Sequence, residues 1–271
     1  MSLIMGRGEA AKKELESNQK SGQLDSKKAF IGLKAGQSRK VRILSPEDYI
    51  TYKAHGHYQN GIQTTPCIAP LEKRCLFCEA ADYDGEHVGG LIDTIENRAG
   101  DAVSEWRPMY AKKRTLFAFV DLEEGELDED ENPKGMLRVF DATAKQSSAL
   151  IASIDEYADD LDDMAFTLKR TGDGTSTVYS LNPIMPKKMK DLQTTFDKWD
   201  ESTVNDELFE EALVERSTED QAKDLLKAGF PVKEVFDIDA SNSNDEGDAK
   251  AEPKAEPKGE DGEINDEDLP F

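Results

Sequence analysis

Short stretches of alternating apolar and polar residues, broken by charged turns, run through the first two thirds of the chain. Near Pro183 the period changes to that of helices. Phe30–Leu33 and Lys40–Leu44 read as strands around the turn Lys34-Ala35-Gly36-Gln37, with Val41 and Ile43 alternating against Lys40 and Arg42. Tyr49–Tyr58 reads as a further strand. Trp106–Asp121 and Met136–Asp141 read as a pair joined by an acidic loop, and Ala165–Arg170 with Ser176–Leu181 as a hairpin around the Asp173-Gly174 step. Ala144–Tyr157 sets Leu150, Ile151 and Ile154 on one helical face, and Glu79–Arg98 carries Leu91, Ile92 and Ile95 at helical spacing. Gly6–Ser21 reads as a short solvated helix. Beyond Pro183, helices are predicted over Lys187–Trp199, Asp206–Val214 and Thr218–Lys227.

These elements predict a mainly β chain with added helices, an α+β fold. Five to seven strands around one mid-chain helix suit a five-stranded, partly open barrel of OB type, and a β-sandwich fits the same pattern. The expected organisation is an N-terminal arm over 1–27 and a barrel core over 28–183 that includes a metal-binding subdomain at 54–100. A helical extension follows over 184–236, then an acidic tail over 237–271. The tail, with its near-repeat Lys250-Ala-Glu-Pro-Lys254-Ala-Glu-Pro-Lys258, has too few apolar residues to offset the entropy of ordering and is predicted to be disordered.

Charge refines this picture. The 271 residues carry a net −23, which taken alone argues against a polyanionic partner. From Asp237 on, 13 acids and 3 lysines hold −10 of it. The rest alternates acidic runs with basic clusters, Arg39-Lys40-Val41-Arg42, Lys112-Lys113-Arg114, Lys169-Arg170 and Lys187-Lys188-Met189-Lys190, and such strips can hold phosphates locally. No apolar run approaches the roughly 18 residues of a membrane span, and no signal-peptide core stands at the N-terminus. The expected location is the cytoplasm.

All three cysteines fall within Cys67–Cys78, which argues against a disulfide framework. Cys75-Leu76-Phe77-Cys78 has the spacing with which two thiolates bind one Zn²⁺ from a tight turn, and Cys67 adds a third sulfur. One imidazole completes a closed Cys₃His set, expected to hold one structural zinc. His55 and His57 both stand within reach, and their spacing on a strand does not choose between them. A redox use of Cys-x-x-Cys lacks its usual βαβ setting. No carboxylate–histidine set with the spacing of a hydrolase appears, so the chain is not expected to be an enzyme.

In order along Lys34 to Pro183 stand the basic strand Arg39-Lys-Val-Arg-Ile-Leu-Ser-Pro46, then Ala54-His55-Gly56, then the Cys67…Cys75-x-x-Cys78 knuckle. The strand Lys112-Lys113-Arg114-Thr115-Leu116-Phe117, the passage Leu137-Arg138-Val139-Phe140 and the hairpin with Tyr179 complete the series. This series resembles the helix-destabilising, single-stranded DNA-binding proteins of T-even bacteriophages. The resemblance implies a zinc-containing OB fold that coats single-stranded DNA in phage replication, recombination and repair, located in the host cytoplasm. It also favours His55 over His57 as the fourth ligand. The family's basic N-terminal motif is only partly matched, by Arg7 and Lys12-Lys13.

A single-stranded polynucleotide needs cations for phosphates and rings for bases. The candidates are Arg39, Arg42, Lys112, Lys113, Arg114 and Lys169, interleaved with Tyr52, Tyr58, Trp106, Tyr110, Phe117 and Tyr179. The chain closes on Asp266-Glu267-Asp268-Leu269-Pro270-Phe271, acids followed by an aromatic and a carboxylate. That ending is similar to those of bacterial single-stranded DNA-binding proteins and implies docking of replication and recombination partners. The competing functional class is a zinc-ribbon adaptor that never touches DNA.

Overall fold

The computed structural model describes residues 29–83, 92–97, 99–129 and 131–240. The expected arm helix and the tail beyond Ala240 lie outside these residues. Nine strands are described: β1 (Ser38–Arg42), β2 (Tyr49–His57), β3 (Ile62–Pro66), β4 (Thr94–Glu96), β5 (Ala102–Ser104), β6 (Lys112–Asp121), β7 (Met136–Thr143), β8 (Phe166–Thr171) and β9 (Val178–Pro183). The described helices are α1 (Leu76–Asp82), α2 (Ala144–Glu156), α3 (Pro186–Met189), α4 (Gln193–Asp197), α5 (Asp206–Ala212), α6 (Thr218–Lys227) and α7 (Val232–Phe236). The fold is α+β, as the alternation predicts. None of the described helices is long and apolar enough to cross a membrane.

Seven strands form one curled, antiparallel sheet. Its organiser is β6, which pairs with β7 along one edge. Along the other edge it pairs with β2 through Lys112–Phe117 and with β1 at Val120 and Asp121. β1 and β2 thus act as two halves of one long strand, bent at Ser45-Pro46, where proline supplies no ladder donor. β1 continues the sheet to β8 and β9, and β3 extends it beyond β2. The concave face holds Val41, Phe117, Phe119, Phe140, Phe166 and Leu168, with Phe117 stacked on Phe119 at 5.8 Å. Helix α2 adds Leu150 and Ile154 to this core. It begins where Thr143 accepts from the Gln146 amide while the Gln146 side chain accepts from the Thr143 amide, a reciprocal cap.

The structure corrects several expected elements. Ile92 and Ile95 do not share a helix. Leu91 lies outside the described residues, and Thr94–Glu96 pairs with Ala102–Ser104 instead. Asn97 Oδ1 accepts from the Ala99 and Asp101 amides, and Gly100 takes φ +84°, which turns the chain back on itself. Phe30–Leu33 forms only a single parallel bridge, Phe30 with Val139. Strand β3 was not expected, and the strand expected from Trp106 starts at Lys112 because Arg107-Pro108-Met109 is a 3₁₀ turn. The helix expected over Lys187–Trp199 breaks into α3 and α4.

The segment 184–236 does not stand apart as an extension. Met189, Leu192 and Phe196 close one end of the sheet. Phe209 covers Leu116, Ala118 and Val139 on its convex face. Ala222, Leu225, Phe230, Val232 and Phe236 join Ile62, Ile68, Leu76, Phe77, Trp106 and Met109 in a separate core. This second core surrounds the cysteines.

Candidate metal centre and cationic ladder

The second core places His55, Cys67, Cys75 and Cys78 together. One donor atom from each lies within 4.8 Å of the others, so the four are set to hold one metal ion. The Cys67 and Cys78 sulfurs are 3.5 Å apart, and His55 Nε2 lies 3.4 Å from Cys75 Sγ and 3.5 Å from Cys78 Sγ. Each ligand has a local cause. His55 is carried inward by β2. Cys67 follows the end of β3, its amide donating to the Lys53 carbonyl at 2.8 Å. Cys75 is the N-cap of α1 and Cys78 lies in its first turn. A helix start is therefore present at the Cys-x-x-Cys, without the βαβ unit of redox proteins.

The crowded sulfurs divide their protons unequally. A hydrogen bond from Cys78 is the main cause holding the Cys75 thiol down, at about 3, while the same contact pushes Cys78 up and burial pushes Cys67 up. A cation supplies the positive charge needed to strip all three.

The two histidines part company. A bulge between them breaks the β2–β3 register. His57 is buried against Trp106 at 5.3 Å and donates from Nε2 to the Glu105 carbonyl at 3.2 Å, outside the sulfur cluster. His55 makes its own bond to a carbonyl, Nδ1 to Met109 O at 2.8 Å. A carbonyl only accepts, so Nδ1 carries the proton and Nε2 presents its lone pair to the cluster.

The expected nucleic-acid residues fall into two groups. Trp106 (2 % exposed), Phe117 (0 %) and Tyr179 are core residues, and of the three Tyr179 also lines a cleft. Arg42 is buried over the Phe196 ring at 3.9 Å and donates to Asp200 at 2.8 Å. Arg114 is buried with Nε 3.0 and 2.9 Å from the two Asp141 carboxylate oxygens. These five are buried and take part in packing or ion pairs within the fold. Arg39 is paired with Glu124 at 3.1 Å, Tyr52 is half-buried beside Asp141 and Arg114, and the Tyr58 hydroxyl meets that of Thr64. Lys112 is half-buried. Tyr110, Lys113 and Lys169 are exposed, Lys169 on β8, separated from β2 by β6 and β1.

Lys53 and Arg107 are exposed residues that the sequence did not single out. Register brings Lys53 directly opposite Lys113, both exposed, with no carboxylate partner for either among the described residues. Like charges facing across a ladder are destabilising. Arg107 lies over the Tyr110 ring at 5.3 Å. Only the pairing of β2 with β6 reveals Lys53. A cleft of about 990 Å³ adjoins this strip, lined by the free edge of β3, Phe30–Leu33, Tyr179 and Val214. Pro66 on its rim pairs with Ala54, next to Lys53.

No protein-family model matches the chain, and comparison with curated proteins and with solved structures finds no match.

Proposed function

We propose that this chain is a non-enzymatic, OB-type single-stranded DNA-binding protein with one structural zinc. The reading holds for a reducing compartment, the cytoplasm of a bacterial host if the chain is phage-encoded. The single observation that carries it is the Lys53–Lys113 pair. In a chain of net −23, where most described arginines are matched to carboxylates, two lysines are held face to face without one. An anion between them relieves the repulsion, and the neighbouring exposed Tyr110 offers a face for a base.

The strand order supports the OB assignment. With β1 and β2 counted as one bent strand, the sequence β7-β6-(β1/β2)-β8-β9, with α2 between β7 and β8, is that of a five-stranded OB barrel. Strands β7 and β9 are not paired with each other among the described residues, and Phe140 meets Tyr179 edge-on at 4.8 Å between them. The metal is read as zinc because three thiolates and one imidazole suit that ion. A tetrahedron with bonds of about 2.3 Å to sulfur and about 2.0 Å to nitrogen has edges of roughly 3.5–3.8 Å; three separations of 3.4–3.5 Å are close to this, and all four donors lie within 4.8 Å. A closed set of four protein ligands leaves no open position for catalysis. The C-terminal Asp266-Glu267-Asp268-Leu269-Pro270-Phe271 is read as the docking peptide for replication and recombination proteins.

The test is anisotropy of a labelled oligothymidine, titrated at several salt concentrations. Binding should weaken as salt rises. Lys53→Glu with Lys113→Glu should lower affinity at least ten-fold and reduce the salt slope by about 1–2. No binding by the zinc-loaded wild type at low salt sinks the proposal and leaves the adaptor reading.

A further inference from the structure

The two β2 histidines grip one turn from both ends. His57 holds the Glu105 carbonyl and His55 holds the Met109 carbonyl, bracketing Arg107-Pro108-Met109. The same turn is tied to the other end of the knuckle. Arg107 Nη1 lies 2.9 Å from Asp82 Oδ1 and 3.5 Å from the Ala81 carbonyl, at the close of the helix that Cys75 begins. Tyr110 follows directly, with its amide bonded to the Arg107 carbonyl at 3.1 Å and its ring 54 % exposed beneath the Arg107 guanidinium. Two of the contacts that fix this turn therefore lead back to the knuckle, one through the ligand candidate His55 and one through the close of its helix.

We propose that the metal centre positions a base-stacking station, Tyr110 with Arg107, through the hydrogen bond from His55 Nδ1 to the Met109 carbonyl. This rests on the single-stranded DNA reading and specifies how that site is regulated. A bound ion fixes the His55 ring from Nε2, and the ring's other nitrogen then holds the turn. Without the ion, packing on Phe77 and the Met109 bond alone orient the imidazole, the hold on the Met109 carbonyl weakens, and the Tyr110 ring is less preorganised. Metal occupancy thus sets the stacking part of DNA affinity and leaves the phosphate contacts of Lys53 and Lys113 in place. His55 is a positioning residue here, distinct from its role as a ligand.

His55→Cys separates the two roles, since four thiolates still bind the ion while the Nδ1 donor is gone. Co²⁺ absorption and metal analysis report occupancy. The metal-loaded variant should bind oligothymidine about ten-fold or more weakly, the loss expected for one stacked base, with an unchanged salt slope. Tyr110→Ala should lose the same factor, and the double variant should be no worse than Tyr110→Ala. If the variant does not take up the ion, chelation supplies the equivalent comparison: it should weaken wild type and have no further effect on Tyr110→Ala. Additive losses, or wild-type affinity in metal-loaded His55→Cys, overturn the proposal. Hydrogen exchange gives a readout without DNA. The amides of Met109 and Tyr110 should lose protection on chelation in wild type, and unchanged protection overturns the linkage. A wild type that ignores oligothymidine while showing that loss of protection sinks the DNA reading alone.

Discussion

At the scale of single residues, charge and sulfur are placed where the surroundings decide their behaviour. Cys75 sits in the second core beside Leu76, Phe77 and Trp106, where a bound ion would tie it to His55, Cys67 and Cys78. Cys75→Ser should lose the metal and destabilise the fold by about 3 kcal/mol or more, a fall of about 10 °C in melting temperature for a chain of this size. Chelation should produce the same fall, and metal loss with unchanged melting contradicts a structural role. Asp48 shows the opposite case, a carboxylate whose burial works against its charge. Its Oδ2 is buried without a partner, and desolvation raises its pKa from 3.8. A raised acid holds its proton more tightly folded than unfolded. Its stabilising contribution is complete below pH 3.8 and is lost as pH rises through the native value. Asp48→Asn should therefore melt above wild type at neutral pH, and the gap should close on acidification below pH 4. A gap independent of pH excludes this account.

At the scale of elements, the knuckle helix depends on a distant one. Gln221 on α6 is fully buried, and its Oε1 accepts from the Leu76 amide at 2.8 Å and the Phe77 amide at 3.4 Å, the unpaired donors at the start of α1. Gln221→Ala should cost about 1–3 kcal/mol through those buried donors. Faster exchange at Leu76 and Phe77, with weaker Co²⁺ binding, is the expected readout, and unchanged exchange refutes it. Element-level features also show how much the sequence discloses. The existence of strands β2 and β6, the Asp173-Gly174 turn and the limits of α6 were legible because local forces set them. Ser217 caps α6 through the Asp220 amide at 3.1 Å, and Gly229 at φ +96° ends it. Strand β3 was not legible, because Ile62-Gln63-Thr64-Thr65 has one apolar residue and owes its strand to pairing with β2. The cysteines announced a metal site by spacing; spacing alone left His55 and His57 open, the resemblance favoured His55, and the bulge between the two histidines sets His55 in the cluster and His57 outside it. That Trp106 and Phe117 are buried was not legible, because such rings look the same in sequence whether they face solvent or a core.

At the scale of the whole molecule, the charge is divided between ends. The described body keeps Lys53 and Lys113 free of carboxylates, while the last residues hold a dense negative charge. Deleting residues 241–271 should strengthen oligothymidine binding several-fold at low salt, with the gain vanishing at high salt as screening removes the competition. Equal affinity of the two forms at low salt counts against competition between tail and DNA.

The core around the cysteines draws on residues 62–109 and again on 222–236. Synthesis on the ribosome delivers the ligands early and the covering helices last. A nascent chain that has passed Cys78 holds all four ligands but lacks Gln221, Phe230 and Phe236. Ion capture and burial are then separate events in time, and a polypeptide halted before residue 222 would carry an ion on a surface with no roof.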